Sequence, residues 1–242
     1  MTLLSVERLE ARHGLLTAVR GVSFAIDKGE TVALVGANGA GKTTLLRAIA
    51  GQHPLASGRV VFRGVDVTAR SAHARARMGI ALVPEGRRLF ASLTVEENLA
   101  LARSAGRAGP WTLEAVMEAF PNLKARRRSL AGTLSGGEQQ ATAIGRALMT
   151  NPEIILLDEV SLGLSPLVVG RVYERLEALK SSGVAIVLVE QDLRRALATA
   201  SRAICMLEGA IAIEGPTVEL THEEVTHAYF GLRRSAEHGA PA

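Results

Sequence analysis

Nine consecutive residues near the N-terminus have the pattern of a phosphate-binding loop. Residues 36–44 read Gly-Ala-Asn-Gly-Ala-Gly-Lys-Thr-Thr and follow an apolar run over residues 31–35. Glycines let a backbone curl so that its N–H groups point at one anion, and a helix beginning near Lys42 adds its N-terminal dipole. In this pattern the lysine reaches the β- and γ-phosphates, and the Thr43 hydroxyl holds Mg²⁺. A flexible glycine-rich turn is the alternative, but it has no need of the Lys-Thr pair. The pattern predicts nucleotide contacts from Gly36, Ala37, Asn38, Gly39, Ala40, Gly41, Lys42, Thr43 and Thr44.

Two acids follow a second apolar run. The sequence Ile-Ile-Leu-Leu-Asp-Glu ends in Asp158 and Glu159. An aspartate at the tip of a buried strand beside a phosphate loop is placed to hold Mg²⁺, and the next glutamate is placed to polarise an attacking water. A strand that simply ends in polar residues is the alternative, and the phosphate loop makes the metal and water roles the better prediction.

A third motif, Leu-Ser-Gly-Gly-Glu-Gln-Gln, begins at residue 134. Ser135 and Glu138 fit a capping box, which needs only to start a helix. The two glycines between them, Gly136 and Gly137, are not required by a cap, and they leave a bare helix start suited to phosphate. A second phosphate-binding element beside one complete phosphate loop suggests that two subunits share two nucleotides.

The elements that position these motifs alternate along the chain. Four apolar runs predict buried strands, and helical patterns over Lys42–Ala50 and Leu167–Lys180 lie between them, so a parallel sheet in an α/β core is expected. Leu3–Lys28 and Gly58–Val67 predict shorter, more exposed strands in a small antiparallel layer, and the segment from about Thr94 to Thr150 is helical throughout. The predicted buried strands are Val32–Val35, Ile80–Val83, Ile154–Leu157 and Val184–Val189.

The composition excludes several classes of protein. The 242 residues carry a net charge of +4, and only 3% are aromatic, which leaves little material for the base-stacking surfaces of a nucleic-acid-binding protein. The apolar runs are too short to span a bilayer, and Glu7 and Arg8 make the first ten residues unlike a signal peptide. One cysteine, Cys205, excludes an internal disulfide and a cysteine metal cluster. Its apolar neighbours predict a buried thiol. The short apolar runs and the N-terminus unlike a signal peptide predict a soluble, cytoplasmic protein.

Taken together, the three motifs resemble the nucleotide-binding domain of ATP-binding-cassette (ABC) transporters, over about residues 1–231. The resemblance implies an α/β fold, a P-loop NTPase core with a parallel sheet, an N-terminal antiparallel β layer and an inserted helical subdomain. It implies one ABC domain over residues 1–232, with the core at about 1–90 and 151–232 and the helical subdomain at about 91–150. The small polar residues 233–242 predict a flexible tail.

The same resemblance implies how the motifs work. In this family two domains dimerise head to tail, and each signature, here Ser135 to Glu138, contacts ATP held by the partner's phosphate loop. ATP and Mg²⁺ are the implied cofactors. Closure on ATP drives a membrane partner, and hydrolysis resets it. The metal side is assigned to Thr43, Glu85 and Asp158, and catalysis to Glu159 and Gln191.

Further stretches resemble one subgroup, the second ATP-binding subunit of branched-chain amino acid importers. That resemblance implies a different but similar ATPase subunit as partner, with a homodimer as the alternative, two membrane permeases and a periplasmic solute-binding protein. It places the chain on the cytoplasmic face of the inner membrane, with no nucleic-acid partner. The stretches are residues 83–90, 93–99, 161–166, 189–191 and 228–231.

Four residues depart from the usual family pattern. Glu85 replaces a glutamine but remains a competent Mg²⁺ ligand, and glutamate is typical of the importer subgroup, whereas urea-type importers more often keep glutamine. Gln191 replaces a histidine and cannot become cationic or relay a proton, so we expect this site to turn over more slowly than its partner's. His13 stands where the family stacks an aromatic side chain on adenine, and its imidazole offers a smaller ring surface for stacking than tyrosine. The alternative is that His13 is a surface residue with no contact to the nucleotide. Val160 replaces a proline, with a small effect expected.

Other transport functions stay open. A related importer for urea, an amide or another solute, and the ATPase of an exporter or lipid-extraction system, use the same motifs. A soluble ABC protein acting on ribosomes or DNA is disfavoured, because such proteins join two cassettes or carry long coiled coils, and the positive charge here is small for a polyanion surface.

Overall fold

The computed structural model describes residues 1–104 and 107–230, and within those ranges the chain forms two sheets and nine α-helices. The predicted tail over residues 233–242 lies outside the described residues. None of the helices in the described ranges is long and apolar enough to cross a membrane.

The first sheet is the antiparallel layer. Its strands are Thr2–His13 (β1), Leu16–Asp27 (β2), Ser57–Phe62 (β4) and Val65–Asp66 (β5), in the order β2-β1-β4-β5. The expectation of short, exposed strands over Leu3–Lys28 is wrong, because β1 and β2 each have 12 residues and apolar side chains of both are buried. Register shifts between the two strands break the strict alternation of apolar and polar residues, which hides their length in the sequence.

The second sheet lies at the centre of the fold. Its strands are Thr31–Val35 (β3), Ile80–Val83 (β6), Ile154–Asp158 (β7), Ala185–Val189 (β8), Arg202–Leu207 (β9) and Ala210–Pro216 (β10), in the order β10-β9-β3-β8-β7-β6. All pairings are parallel except β9–β10, which form an antiparallel pair at one edge. Every residue of β3, β7 and β8 is buried, as their unbroken apolar runs predict for strands covered on both faces.

The described ranges contain nine α-helices, which pack on the sheets and on one another. They are Lys42–Ile49 (α1), Ala72–Met78 (α2), Val95–Leu101 (α3), Leu113–Ala119 (α4), Pro121–Lys124 (α5), Gly136–Leu148 (α6), Pro166–Lys180 (α7), Leu193–Thr199 (α8) and His222–Phe230 (α9). α3 to α6, with short 3₁₀ turns between them, occupy the segment predicted to be helical. Their apolar side chains join α7 and one face of the parallel sheet in a continuous core that includes Leu99, Ile144 and Leu176. The division into subdomains near residues 90 and 150 stays a prediction.

The order of the strands decides where the chemistry lies. β3, β6, β7 and β8 run parallel, so their carboxyl ends meet at one edge of the sheet. The phosphate loop, Glu85, Glu159 and Gln191 each follow one of these strands within two residues, and Asp158 is the last residue of β7. One edge therefore collects motifs that are up to about 150 residues apart in the chain.

Candidate nucleotide-binding site

Two glycines of the phosphate loop are required by close backbone packing. Gly36 directly follows β3 with φ 147°, and Gly41 caps the start of α1 with φ 98°. A Cβ at Gly36 would lie 2.3 Å from the Met206 carbonyl oxygen, and one at Gly41 would lie 2.3 Å from the Ala18 carbonyl oxygen. Any side chain at these positions would therefore displace the loop from the neighbouring strands.

Lys42 lies inside the curl of the loop. Its Nζ donates hydrogen bonds to the carbonyl oxygens of Gly36 at 2.7 Å and Ala37 at 3.0 Å, and only 4% of the residue is exposed. Burial lowers the pKa of the ammonium group, while the negative charges of Glu159 and Asp158 oppose that shift. A buried cation held only by carbonyl groups is poised to exchange them for an anionic phosphate.

Thr43 and Asp158 form the side of the site that suits a metal ion. The Thr43 hydroxyl donates to Asp158 Oδ1 at 2.9 Å, and Asp158 Oδ2 is buried without a hydrogen-bond partner among the described residues. Burial raises the pKa of this carboxyl group, which the Thr43 hydrogen bond opposes. The orphaned buried oxygen of Asp158 lies beside the Thr43 hydroxyl, and Thr43 and exposed Glu85 line one cleft. Together they form a set of hard oxygen donors that fits Mg²⁺.

Glu159 and Gln191 are brought together across the sheet edge. Gln191 Nε2 donates to Glu159 Oε2 at 2.8 Å. The Glu159 backbone has φ 50°, in the left-handed region, and its N–H donates to the Val189 carbonyl at 3.1 Å. A non-glycine residue held at positive φ carries strain, and with this backbone conformation Glu159 lines the cleft directly after the buried strand.

A buried carboxylate beside Gln191 was not singled out from the sequence. Glu190 is 2% exposed and its Oε2 accepts a hydrogen bond from the Ser161 hydroxyl at 2.6 Å. The Tyr173 hydroxyl lies near the same carboxylate, outside hydrogen-bond geometry, and burial together with that negative charge raises its pKa. The hydrogen bond between Ser161 and Glu190 joins the loop after β7 to the residue directly after β8. The signal in the sequence was a charged residue directly after a fully apolar strand.

His13 contacts the phosphate loop rather than open solvent alone. Its Nε2 lies 3.1 Å from the Thr44 hydroxyl, and its ring lies 4.6 Å, centroid to centroid, from that of His53. The His53 Nε2–H in turn donates to the Arg12 carbonyl at 3.1 Å. His53, which the sequence analysis missed, therefore fixes one side of the His13 ring at the mouth of the site.

Most of the predicted site residues line one cleft of about 620 Å³, whereas Gly36, Ala37, Ala40 and Asp158 are not part of its lining. It includes predicted residues of the loop, the metal side and the catalytic pair, together with Leu16, Ala18 and Leu162, which the sequence analysis did not assign. The predicted residues that line the cleft are His13, Asn38, Gly39, Gly41, Lys42, Thr43, Thr44, Glu85, Glu159 and Gln191.

The signature residues lie elsewhere, at the start of α6. Ser135 and Glu138 form the predicted capping box, with the Glu138 carboxylate accepting from the Ser135 N–H at 2.8 Å. Both glycines also have a packing reason, since a Cβ at Gly137 would lie 2.5 Å from Val168 Cγ1 and one at Gly136 would lie 3.0 Å from Leu164 Cδ2. Neither glycine lines the cleft around the phosphate loop.

Residues 19–161 match the ABC transporter family. The chain belongs to this family. The high-affinity branched-chain amino acid transport ATP-binding protein BraG of Pseudomonas aeruginosa is 43% identical over 95% of this chain and 100% of its own length. The probable branched-chain amino acid transport ATP-binding protein LivF of Archaeoglobus fulgidus is 36% identical over 92% of this chain and 95% of its own.

Other ABC proteins are also similar. The lipopolysaccharide export system ATP-binding protein LptB of Escherichia coli is 34% identical over 96% of this ABC ATPase and 98% of its own length. A nucleotide-free ATP-binding cassette from an ABC transporter superposes with a TM-score of 0.79 at 28% identity, covering 94% of this chain and 95% of that one. A dimeric cassette bound to ADP and phosphate gives a TM-score of 0.78 at 25% identity, covering 89% and 99%. The predicted α/β ABC fold and the predicted ATPase activity are confirmed.

Proposed function

We propose that this ABC ATPase powers a membrane importer for branched-chain amino acids. The observation that carries the proposal is the similarity to BraG, which extends over the whole of that protein at 43% identity. Similarity to LivF at 36% supports the same substrate class. The proposed complex contains a second, similar ATP-binding subunit, two permeases and a periplasmic solute-binding protein, with this chain bound peripherally at the cytoplasmic face.

The proposed mechanism begins with ATP entering the cleft of about 620 Å³. The N–H groups of the loop and the start of α1 bind the phosphates, and Lys42 exchanges its two carbonyl contacts for phosphate oxygens. His13, held against His53, offers a ring face to the adenine. The loop, the lysine and the ring each hold a different part of one nucleotide.

Hydrolysis is assigned to the sheet edge beside the loop. Thr43, Asp158 and Glu85 would hold Mg²⁺, which when bound neutralises charge on the β- and γ-phosphates. Glu159 orients a water and takes its proton as the water oxygen bonds to the γ-phosphorus, while the bond to the β,γ-bridging oxygen breaks and ADP leaves with that electron pair. Gln191 holds the Glu159 carboxylate in place through its hydrogen bond.

The separation of the two phosphate-binding motifs supports a shared site. Ser135 to Glu138 lie outside the cleft that contains Lys42 and Glu159. In the proposed dimer, the start of α6 closes on ATP held by the partner's loop, and the partner returns the same contact. Closure would then require ATP in the interface.

A groove on another side of the chain suits a permease. It has a volume of about 660 Å³ and lies between the parallel sheet and α6. Phe90 and Leu101, with 55% and 46% of their surface exposed, give it an apolar rim, and Arg88 and Arg146 give it positive charge. Its lining includes Pro84, directly before Glu85. A permease that displaced Pro84 would therefore also move Glu85 on the metal side of the site.

Lipid export is the second candidate, favoured by the 34% identity to LptB over nearly the whole of both chains. The experiment that separates the two is co-purification with the products of flanking genes, followed by ATPase assays in proteoliposomes. Stimulation by a binding protein loaded with leucine, isoleucine or valine supports import. Stimulation by lipopolysaccharide, or by a different solute alone, contradicts the proposed substrate.

A further inference from the structure

Arg87 lies where three segments of the chain meet. Its Nη1 donates to Gln139 Oε1 at 3.0 Å and its Nε to Gln140 Oε1 at 3.4 Å, both on α6. Its Nη2 points at the Leu162 carbonyl, 3.5 Å away, in the loop after β7. The guanidinium group thus joins the loop after β6 to the signature helix and to the loop that follows Glu159.

The signature itself packs against this group. A Cβ built on Gly136 would lie 3.5 Å from Arg87 Nη2 and 3.0 Å from Leu164 Cδ2. Even the smallest side chain at the first signature glycine would therefore meet the arginine and the loop after β7. The contacts that Arg87 itself makes with the first turns of α6 are its hydrogen bonds to Gln139 and Gln140.

The backbone at Arg87 is held in a strained form. Arg87 and Arg88 have φ 64° and 48°, both in the left-handed region that non-glycine residues seldom adopt. Arg146 of α6 donates to both of their carbonyl oxygens, at 3.1 Å and 2.8 Å. Strain that is maintained by a dedicated contact usually marks a segment with a functional reason for its shape.

Topology explains why one side chain can reach all three segments. β6 and β7 are parallel neighbours, so the loops that leave their carboxyl ends start side by side. Arg87 comes two residues after Glu85 on the first loop, and Leu162 comes three residues after Glu159 on the second. The residues assigned to the metal and the water thus lie within three residues of the two loop positions that the Arg87 side chain joins.

From this geometry we propose that Arg87 is a positioning residue that sets the orientation of this chain's signature according to the state of its own metal and water loops. A change at Glu85 or Glu159 moves Arg87 or Leu162, and Arg87 transmits that movement to Gln139 and the glycines of α6. Because the signature serves the partner's nucleotide, Arg87 affects hydrolysis at the opposite site.

Lysine cannot replace arginine in this role. A guanidinium group presents donors in a fixed planar fork, whereas an ammonium group is a point charge that cannot hold two amides and a carbonyl in one arrangement. Arg87→Lys therefore keeps the charge and removes the linkage. A residue needed only for its charge would be rescued by this substitution.

The inference rests on the proposed sharing of two nucleotides, and the test separates the two. The assembled transporter is prepared with this chain's own site inactivated by Glu159→Gln, so that the remaining ATPase comes from the partner's loop and this chain's signature. Into this background we introduce Arg87→Ala, Arg87→Lys, Gln139→Ala and the pair Arg87→Ala/Gln139→Ala. Arg77→Ala, an exposed arginine on α2, is the matched control.

The expected loss of ATPase for both Arg87 variants is about tenfold or more, the size associated with charge-assisted hydrogen bonds. ATP affinity of the isolated chain and its thermal midpoint stay close to those of Arg77→Ala. The double variant loses no more than Arg87→Ala, because the two side chains act through one contact. ATPase equal to that of the control, rescue by lysine, or additive losses would each overturn the proposal for Arg87.

Failure of the shared-site premise would give a different experimental result. If ATP does not promote dimer formation of the unaltered chains, the premise is wrong. Unchanged ATPase after inactivating both Glu159 and the equivalent glutamate of the partner would instead contradict the assignment of these glutamates as general bases. Loss of solute stimulation with intact basal ATPase would contradict only the proposed substrate, and the comparison of Arg87 variants would still be decisive.

Discussion

Asp158 shows how a single residue can serve binding at the expense of stability. Its carboxyl group is buried with one oxygen unpaired among the described residues, and burial raises its pKa. A carboxyl group whose pKa is higher in the folded than in the unfolded chain stabilises the fold below its unfolded pKa, and this contribution is lost as pH rises through the folded pKa. Above that folded pKa the ionised, buried group therefore weakens the empty protein until a cation neutralises it.

We predict that Asp158→Asn raises the thermal midpoint of the nucleotide-free chain while weakening its response to Mg²⁺ and ATP. The amide still accepts from Thr43 but carries no buried charge, and an increase of about 2–4 °C corresponds to about 1 kcal/mol for a chain of this size. Differential scanning fluorimetry with and without Mg²⁺ and ATP measures both effects. A lower midpoint in the empty protein, or an undiminished shift with the ligands, would contradict this account.

At the scale of elements, two glycines, one at the start of α1 and one inside α7, differ in the space that a side chain would have. Gly41 begins α1 with φ 98° and the Ala18 carbonyl 2.3 Å from the position of a Cβ. Gly170 lies inside α7, exposed, with nothing within 4 Å of its Cβ position. The same substitution therefore has opposite consequences at the two sites.

Gly41→Ala is expected to destabilise the chain and abolish ATP binding, because the loop must move away from β2. Gly170→Ala is expected to stabilise it by about 0.5–1 kcal/mol, the helix-interior difference between glycine and alanine. Chemical denaturation and nucleotide titration of both variants test the pair. Tight ATP binding by Gly41→Ala would show that the loop does not need its observed path.

Elements differ in how far the sequence predicts them. The buried parallel strands β3, β6, β7 and β8 were predicted to within a residue, because runs such as Ile154–Leu157 are apolar on both faces. The long strands β1 and β2 were not, since bulges interrupt their alternation. The parallel strand β9 was not predicted as a strand. The edge strand β10, with its alternating burial, was not identified in the sequence at all.

The candidate site divides in the same way. Residues in a contiguous motif, such as Lys42 and Asp158, could be identified because their types and spacing already specify the chemistry. His53, Glu190 and Arg87 could not, because each acts through a contact with a residue distant in sequence. Only the folded sheet edge shows which of the many histidines, glutamates and arginines reach the site.

At the scale of the whole molecule, the groove near Phe90 offers a test of coupling. Phe90 is half exposed and lines the groove away from the nucleotide cleft. Phe90→Ser is expected to leave ATP binding by the isolated chain unchanged while removing much of the stimulation of ATPase by permeases and loaded binding protein. Leu130→Ser, at an exposed leucine outside the groove lining, is the control. Equal stimulation of the two variants would mean that the permease docks elsewhere.

The two nucleotide sites of the proposed heterodimer are expected to be unequal. In this chain Gln191 donates a hydrogen bond to Glu159 but cannot acquire a proton, whereas a histidine at the same place in a partner could become cationic and relay one. Hydrolysis at the site on this chain's phosphate loop should therefore be the slower of the two. Removing its general base should then matter less to total ATPase than removing the partner's.

That inequality can be measured in the assembled transporter with one site inactivated at a time. Glu159→Gln alone should leave most of the ATPase, whereas the equivalent change in the partner should remove most of it, since a general base contributes about 10²–10⁴-fold at the site where it acts. Gln191→His, combined with an inactivated partner site, should raise the residual rate. Equal losses from the two single-site variants would show that Gln191 supports hydrolysis as well as histidine does, and that holding Glu159 in place is its main contribution.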